Sequence, residues 1–300
     1  MTAREEARVR RSELQDIEVH LFVEAMRLRH GYDFRNYSRG SVKRRVLGLL
    51  SVFGVERMAD LLPLVLYEPT FAARAITALS VPVSEMFRDP DEFRALRERV
   101  IPELRSWPRI TIWLAGCATG EEAYSLAILL KEEGLYERTQ IFATDINDQA
   151  LAKAEEGVYS LAHLEAAEES YHRAGGLHAF SRYYQTRYDY GIMDSSLRQN
   201  IVFAHHNLVS DGVFCEVHLI LCRNVFIYFD KTLQNRVMKL FAESFARGGY
   251  LCLGAKESLQ LSDVVDDFRI IEPKRRIYQY QPRCLSPNTG PVPWMPGPTS

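Results

Sequence analysis

The segment that most constrains the fold runs from Ile110 to Leu130, with the sequence ITIWLAGCATGEEAYSLAILL. An apolar, β-branched run opens it, small residues from Ala115 to Gly120 follow, and apolar residues then recur at helical spacing. This order predicts a strand, a glycine turn and a helix. Such a turn brings the backbone close to a ligand, and the amino end of the next helix points at that ligand. We therefore expect a nucleotide-like cofactor at this turn.

After Leu79 short apolar runs alternate with helical patterns, which is typical of βαβ units and a parallel sheet. The predicted strands cover residues 110–114, 140–144, 201–204, 218–222, 250–253, 268–271 and 276–280. The last two form a hairpin with its turn at Glu272-Pro273-Lys274. Handedness rules place the ligand crevice at the carboxyl ends of the first and fourth strands. The tyrosine-rich run FSRYYQTRYDYG predicts a small β insertion at about residues 178–200.

The pattern is helical from about Leu14 to Leu79, and residues 1–80 are predicted to form a separate amino-terminal domain. The first helix ends at Gly31, which can serve as its cap, and a second helix begins near Ser41. A third helical region covers residues 58–79 and breaks near Pro69.

Three cations, Lys43, Arg44 and Arg45, lie together in the first turns of the second predicted helix. An ordinary solvated face would explain them. Cations in a first turn oppose the helix dipole, however, and so require another reason. An acidic partner is one such reason, and the sequence leaves both interpretations open.

The chain has 300 residues, 47% of them hydrophobic, and a formal net charge of −2. This composition predicts a globular protein with ample core and offers no polybasic signature for nucleic acid. Charged residues follow Met1 and no apolar run reaches the roughly 18 residues of a membrane span, so we expect a cytoplasmic protein. The five cysteines lack Cys-x-x-Cys spacing, which favours buried thiols over a metal site. The proline-rich residues 284–300 are predicted to be disordered.

The turn AGCATGEE differs from the dinucleotide fingerprint G-x-G-x-x-G, because Gly116 and Gly120 lie four residues apart. Glu121 and Glu122 follow directly. They stabilise the start of the helix and would repel a pyrophosphate. A cofactor with a cationic methionine moiety suits them better, since a carboxylate can accept a hydrogen bond from its amino group.

Asp145 closes the next predicted strand in FATDIND, about 25 residues after Gly120. A Rossmann-like fold places an acid there to accept hydrogen bonds from ribose hydroxyls. The alternative is that Asp145 caps the following helix, as Asn147 or Asp148 could also do.

The fourth predicted strand ends in polar residues, in the sequence HLILCRNVFIYFD. Arg223 and Asn224 would face the crevice with Tyr228 close behind, and Asn207 ends the third strand in the same layer. The alternative is that Arg223 pairs with an acid such as Asp230 and that Tyr228 belongs to the core.

Upstream, SVPVSEMFRDPDEF places Ser84 and Arg88 before a helix that begins near Asp89, with Pro90 in its first turn. Arg88 either binds a phosphate or carboxylate group or forms a surface ion pair.

Four segments resemble the CheR-type chemoreceptor glutamate methyltransferases: AGCATGEEAYSLA, FATDINDQALAKAEEGVY, LCRNVFIYFD and SEMFRDPDEF. The resemblance implies an α/β class I S-adenosylmethionine-dependent methyltransferase domain over residues 81–283, Rossmann-like with a mostly parallel seven-stranded sheet. A small all-α amino-terminal domain and a small β insertion complete the family's architecture. Class I methyltransferases have a final antiparallel hairpin in an otherwise parallel sheet, and this hairpin distinguishes them from dinucleotide dehydrogenases. The implied reaction passes a methyl group to a glutamate of a receptor's cytoplasmic helix, giving a methyl ester and S-adenosylhomocysteine, without a metal.

By position, the family's cofactor contacts fall on Ser84, Arg88, Glu122, Asp145, Asn207, Leu208, Arg223 and Asn224. Arg88 and Tyr228 would flank the reacting carboxylate, and the basic cluster at residues 43–45 would attract glutamate-rich receptor helices. A glutamate acceptor is already ionised at neutral pH, so no general base is needed. We expect a monomer that works beside membrane receptors without inserting into the bilayer.

Two positions depart from the family pattern. Pro82 replaces an asparagine that touches the cofactor, which removes a hydrogen bond of about 1 kcal/mol. His218 replaces an aspartate of many members, which leaves the identity of the acceptor open.

Four alternative functions follow from the same motifs. The cofactor domain could be a non-catalytic S-adenosylmethionine-binding signalling module, an interpretation that Pro82 favours, or it could methylate a different protein acceptor. A small-molecule carboxyl methyltransferase is disfavoured because no lid is evident. A nucleic-acid methyltransferase is disfavoured too. Amino-methylating enzymes of that kind carry Asn or Asp followed by Pro-Pro and an aromatic residue where this chain has CRNVFIYF.

Overall fold

The computed structural model describes residues 3–80, 84–260 and 262–282, with the backbone alone for residues 3, 4 and 6–11. Pro82, Cys284 and the predicted disordered segment 284–300 lie outside the described residues. The helices are α1 (Ala3–His30), α2 (Arg39–Phe53), α3 (Leu61–Tyr67), α4 (Phe71–Leu79), α5 (Pro90–Arg99), α6 (Ile101–Leu104), α7 (Glu121–Glu132), α8 (Asp148–Glu156), α9 (Leu161–Ala166), α10 (Glu168–Arg173) and α11 (Lys231–Ser244). The strands are β1 (Ile110–Ala115), β2 (Thr139–Asp145), β3 (Val158–Ser160), β4 (Tyr184–Arg187), β5 (Tyr190–Met193), β6 (Ile201–His205), β7 (Val217–Cys222), β8 (Phe245–Leu253), β9 (Phe268–Glu272) and β10 (Ile277–Tyr280).

Seven strands form the main sheet in the order β6-β2-β1-β7-β8-β10-β9. The pairs from β6 to β8 are parallel, and β10 runs antiparallel to both β8 and β9. All seven predicted strands are present, and the predicted final hairpin is confirmed. Within β1, Ile112 packs on one face of the sheet and Trp113 on the other, as expected for a parallel sheet covered on both faces.

The β insertion is a separate three-stranded sheet in the order β3-β5-β4. Strands β4 and β5 come from the tyrosine-rich segment. Strand β3 lies further upstream, directly after the carboxyl cap Gly157 of α8, where the sequence pattern predicted no strand. A three-residue strand is too short to show the alternation that pattern reasoning relies on.

The amino-terminal helices pack around their own core, which contains Phe22, Met26 and Val46. Helix α1 ends as predicted, with Gly31 at φ +80°, and the chain between α3 and α4 breaks at residues 68–70. No helix among the described residues is long and apolar enough to cross a membrane.

The amino-terminal helices also contact the loop after β7. The amide of Ser38 donates to the Tyr228 carbonyl at 2.8 Å, and the amide of Asp230 donates to the Asn36 carbonyl at 2.8 Å. Tyr37 and Phe229 pack edge to face with ring centroids 5.1 Å apart. The loop at the carboxyl end of the central sheet is therefore covered by the helical region.

His218 lies near the amino end of β7, at the opposite end of the sheet from the crevice. Its Nδ1 accepts a hydrogen bond from the amide of Thr111 at 3.0 Å, and its ring packs against Trp107. The His218 side chain therefore links β1 to β7 and does not line the crevice. Its presence in place of aspartate gives no information about the acceptor.

Protonation of His218 is expected to destabilise the fold. Burial lowers the pKa of His218 in the folded state, so the unfolded chain takes up the proton first as the pH falls through about 6.5. The urea midpoint of the wild type should fall between about pH 7.5 and pH 5.5 more steeply than that of His218→Asn, which keeps an acceptor but cannot titrate. The exposed His178→Asn serves as the control, and equal slopes in the wild type and His218→Asn would contradict the prediction.

Candidate active site

A cavity of about 380 Å³ opens at the carboxyl ends of β1 and β7, where the strand order reverses. Its size is that of a small-molecule site. It is lined by all the residues assigned to cofactor contact from sequence: Ser84, Arg88, Glu122, Asp145, Asn207, Leu208, Arg223 and Asn224. Tyr228 lines it too. The fold thus brings together nine residues that are spread over residues 84–228 of the sequence.

The amino-terminal helical region forms a wall of the same cavity. Phe34, Tyr37, Arg45, Leu79 and Ser80 line it, together with Ile76. Pattern reasoning assigned only Arg45 among these to a site. The aromatic residues of the linker between α1 and α2 were the available signal, because large apolar side chains outside a helix pattern need a surface to cover.

The glycine turn between β1 and α7 packs closely against the loop after β7. A Cβ atom at Gly116, where φ is +84°, would lie 2.5 Å from Cγ2 of Val225. Ala118 adopts a positive φ of 48° without being glycine, and its amide donates to Oδ2 of Asp145 at 2.9 Å. The turn is therefore held to the end of β2 by Asp145.

Asp145 does not cap α8, which was the alternative role that the sequence left open. Asn147 caps α8 through its side chain, which accepts from the amides of Gln149 and Ala150. The second oxygen of Asp145, Oδ1, accepts from the Asn147 amide at 2.9 Å. Burial raises the pKa of this carboxyl, and the amide donors oppose the rise. Each oxygen keeps a further lone pair for a ligand hydroxyl.

The variant Asp145→Asn is expected to bind S-adenosylhomocysteine about tenfold more weakly, a loss of about 1.4 kcal/mol. The new NH₂ group must face a backbone amide that also donates, and the charge that strengthens hydrogen bonds to hydroxyls is removed. Isothermal titration calorimetry measures the change. Asp148→Asn, three residues on and exposed, is the matched control, and equal affinities of the two variants would count against this role for Asp145.

Arg223 is buried in a network of carboxylates. Its Nε donates to Glu92 at 2.7 Å, its Nη2 donates to Asp89 at 3.1 Å, and its Nη1 donates to Glu122. Nη2 also donates to the Arg88 carbonyl at 2.8 Å. Burial by itself would lower the pKa of Arg223, but the three carboxylates outweigh it and raise the pKa, so the cation is permanent.

The alternative partner suggested from sequence, Asp230, instead caps α11 by accepting from the Leu233 amide at 2.9 Å. Because most donors of Arg223 are used within the protein, its side chain positions Glu122 at the cavity wall. Glu121, by contrast, is buried behind the turn, where its carboxylate accepts from the Thr119 hydroxyl at 2.7 Å. Glu122 is thus the acid of the pair that faces the cavity.

Arg88 lies between two residues with left-handed backbone, Phe87 at φ 52° and Asp89 at φ 54°. Such conformations cost of order 1–3 kcal/mol each and persist where the surrounding structure holds them. The Phe87 amide donates to the Ser125 hydroxyl at 2.8 Å, which fixes the segment on α7. The Arg88 guanidinium makes no hydrogen bond or ion pair with any of the described residues, although it lines the cavity.

The cations at residues 43–45 of α2 do not form the single basic face that their spacing suggested. Lys43 pairs with Asp16 of α1 at 2.7 Å, and Arg44 points to solvent. Arg45 alone turns to the cavity, with its guanidinium carbon 4.2 Å from the ring centre of Tyr228. Consecutive helical positions differ by about 100° in direction, so a run of three cannot share one face.

Glu257 is a further buried residue that supports the site and that sequence reasoning missed. Its Oε2 accepts from the Gly254 amide at 2.7 Å and from the Asn224 amide at 3.1 Å. It thereby holds Asn224 at a positive φ of 62° at the end of β7. Burial raises the pKa of the Glu257 carboxyl. No local pattern marks this glutamate as part of the site, because Asn224 lies in a different loop.

The cavity offers no thiolate. Burial raises the pKa of the Cys117 thiol well above its ordinary value, so the sulfur stays protonated. Cys117, Cys222 and Cys252 are buried free thiols, as expected from sequence, and Cys215 is partly exposed. Among the described residues, no three or more His, Cys, Asp or Glu side chains form a group that could hold a metal ion.

A parallel sheet with acids directly after the glycine turn and an antiparallel hairpin at one edge is the arrangement of class I S-adenosylmethionine-dependent methyltransferases. The family model "CheR methyltransferase, SAM binding domain" matches residues 82–277, and "CheR methyltransferase, all-alpha domain" matches residues 17–80. The chain belongs to the CheR methyltransferase family.

Similar proteins agree with this assignment. The chain is 50% identical to the "Putative methyltransferase Cher3" of Pseudomonas putida, over 88% of this chain and 97% of that protein. It is 30% identical to the chemotaxis protein methyltransferase of Vibrio anguillarum, over 77% and 84% of the two chains. For the chemotaxis protein methyltransferase of Listeria innocua the identity is 29%, over 76% and 85%.

Proposed function

We propose that this protein transfers a methyl group from S-adenosylmethionine to glutamate side-chain carboxylates of a chemoreceptor in the cytoplasm, forming methyl esters for sensory adaptation. The observation that carries the proposal is the Arg88 guanidinium, which faces the cavity without a partner among the described residues. A guanidinium fork matches a carboxylate in two parallel hydrogen bonds. The names of the Vibrio and Listeria relatives support a chemotaxis acceptor.

The acceptors at the cavity wall fit this cofactor. Glu122, oriented by Arg223, suits the amino group of the methionine moiety, and Asp145 suits the ribose hydroxyls. Leu208 supplies an apolar contact. When bound, S-adenosylmethionine supplies a methyl group activated by its sulfonium charge.

The protein's own contribution is placement of the acceptor. A glutamate is ionised at neutral pH, so no residue has to remove a proton from it. Arg88 would hold the carboxylate in the cavity, and the aromatic wall around Tyr228 would exclude water from it. Arg45, stacked on Tyr228, adds positive charge to the cavity wall, which attracts acidic receptor helices in a salt-dependent way.

The test is incubation with methyl-labelled S-adenosylmethionine and the cytoplasmic fragment of a chemoreceptor, or a lysate of the source cells. Glutamate methyl esters release the label as methanol in mild base. Calorimetry with S-adenosylhomocysteine is run in parallel. Cofactor binding without any labelled protein would favour the non-catalytic module, and a label stable to base would identify a different acceptor group.

A further inference from the structure

Tyr37 brings a hydroxyl group to the cavity from the helical region. The residue lies in the segment that joins α1 to α2, and it lines the cavity. Its hydroxyl makes no hydrogen bond with any of the described residues, and it is not one of their fully buried polar atoms that lack a partner. The hydroxyl is therefore free to bind a ligand in the cavity.

The ring of Tyr37 is held by two other rings. Phe34 packs against it with ring centroids 5.0 Å apart and Phe229 with centroids 5.1 Å apart, both edge to face. The neighbouring backbone is fixed as well, because the Ser38 amide and the Asn36 carbonyl bond to the loop after β7. A side chain that is already immobilised loses little further conformational entropy when a ligand binds. The hydroxyl is thus a preorganised group.

The helical region lies over the end of β2, which is the strand that Asp145 closes. Ile146, the next residue, packs against the apolar core of the helical region, and so does Tyr37. Asn147 follows, and its Nδ2 donates to Oγ of Ser80 at 2.7 Å. These contacts bring Tyr37 and the end of β2 to the same part of the cavity wall.

The charges that act on the Tyr37 hydroxyl agree with this placement. Burial raises the pKa of Tyr37, Arg45 opposes the rise, and the charge of Asp145 adds to it. Asp145 and Tyr37 are therefore close enough to interact across the cavity. Because the pKa lies above its ordinary value, the hydroxyl keeps its proton at neutral pH and can act as a donor.

A ribose matches this pair of groups. The Asp145 carboxylate is an acceptor, so it takes the protons of ribose hydroxyls. The oxygens of those hydroxyls keep lone pairs, to which a further group can donate. A protonated tyrosine hydroxyl is such a donor. Together, Tyr37 and Asp145 can satisfy both the donor and the acceptor capacity of a sugar hydroxyl.

We propose that Tyr37 is a cofactor-binding residue, whose hydroxyl donates to a ribose oxygen of S-adenosylmethionine while Asp145 accepts from the ribose hydroxyls. This inference rests on the cofactor of the proposed function and does not depend on the acceptor. The helical region then does more than cover the cavity, because it sets part of the affinity for the cofactor.

Calorimetric titration of the full chain with S-adenosylhomocysteine tests the proposal. Tyr37→Phe keeps the packed ring and removes only the hydroxyl, so it should raise the dissociation constant about fivefold, as expected for one lost hydrogen bond. Tyr32→Phe is the matched control, because Tyr32 lies in the same segment without lining the cavity, and it should bind like the wild type. Urea midpoints show whether both variants are folded.

Two deoxyribose analogues of S-adenosylhomocysteine, each lacking one of the ribose hydroxyls, identify the partner atom. With one of them the wild type and Tyr37→Phe should bind equally, because the oxygen that accepts from Tyr37 is gone. Equal binding of S-adenosylhomocysteine itself by the wild type and Tyr37→Phe would overturn the proposal. A loss that persisted with both analogues would also overturn it and would assign the hydroxyl to another part of the ligand. A wild type that bound no S-adenosylhomocysteine would overturn the cofactor assignment of the proposed function, and this inference with it.

Discussion

Replacement of Arg88 by alanine is expected to lower kcat about 100-fold while leaving the affinity for S-adenosylhomocysteine nearly unchanged. Arg88 faces the cavity without a partner among the described residues, and the backbone on both sides of it is left-handed. The conformation of these two residues fixes the position from which the Arg88 side chain extends. Because the acceptor needs orientation and no base, the loss should appear in turnover. Labelled methyl transfer and calorimetry on the same variant separate the two quantities.

The comparison variants make the result specific. Arg88→Lys keeps the charge without the fork and should fall between the wild type and Arg88→Ala. Arg94→Ala, on the exposed side of α5, should behave as the wild type. If Arg88→Ala lost cofactor affinity and turnover in equal measure, Arg88 would be a cofactor ligand only.

Replacement of Arg223 by methionine is expected to lower the free energy of unfolding by about 3–5 kcal/mol. The substitution leaves the buried Glu92, and Glu122 at the cavity wall, without the cation that pairs with both of them. Urea denaturation followed by tryptophan fluorescence measures the change. The exposed Arg99→Met should cost less than about 0.5 kcal/mol. A loss below about 1 kcal/mol for Arg223→Met would mean that water already screens the carboxylates.

The Arg223→Met penalty should depend on pH. Burial raises the pKa of Glu92 in the folded protein, and Arg223 opposes this rise. Without Arg223 the pKa rises further, so the folded variant binds more protons than the unfolded chain and loses stability as the pH increases. The difference in free energy of unfolding between the variant and the wild type should therefore grow between about pH 5 and pH 8. The double variant Glu92→Gln, Arg223→Met should recover part of the lost stability, because one buried charge has been removed.

The elements of the cofactor domain were predictable because each carries a local signal. Strands buried on both faces appear as continuous apolar runs, and β1 and β7 are of this kind. The turn at Gly116 and Gly120 and the cap at Gly31 require positive φ, which favours glycine at those positions. Strand β3 carried no such signal, since three residues show no period.

The cavity residues were predictable for a second reason. Asp145 and Arg223 each follow a parallel strand, and the carboxyl ends of parallel strands meet at one edge of the sheet. The motif resemblance supplied the remaining positions. Their location at one cavity follows from the fold, and their roles as ligands are the subject of the variants proposed above.

The sequence by itself determined the class of fold and the position of the strand, turn and helix between Ile110 and Leu130, because these depend on periodicity and on glycine chemistry over short distances. It did not reveal the wall that Phe34 and Tyr37 of the helical region contribute to the cavity. The tertiary structure alone decided what each charged side chain contacts. Arg223 meets Glu92 across 131 positions of the chain, and Arg45 separates from Lys43 to stack on Tyr228. Ion pairing and burial depend on distances in space, and no local pattern along the chain encodes such distances.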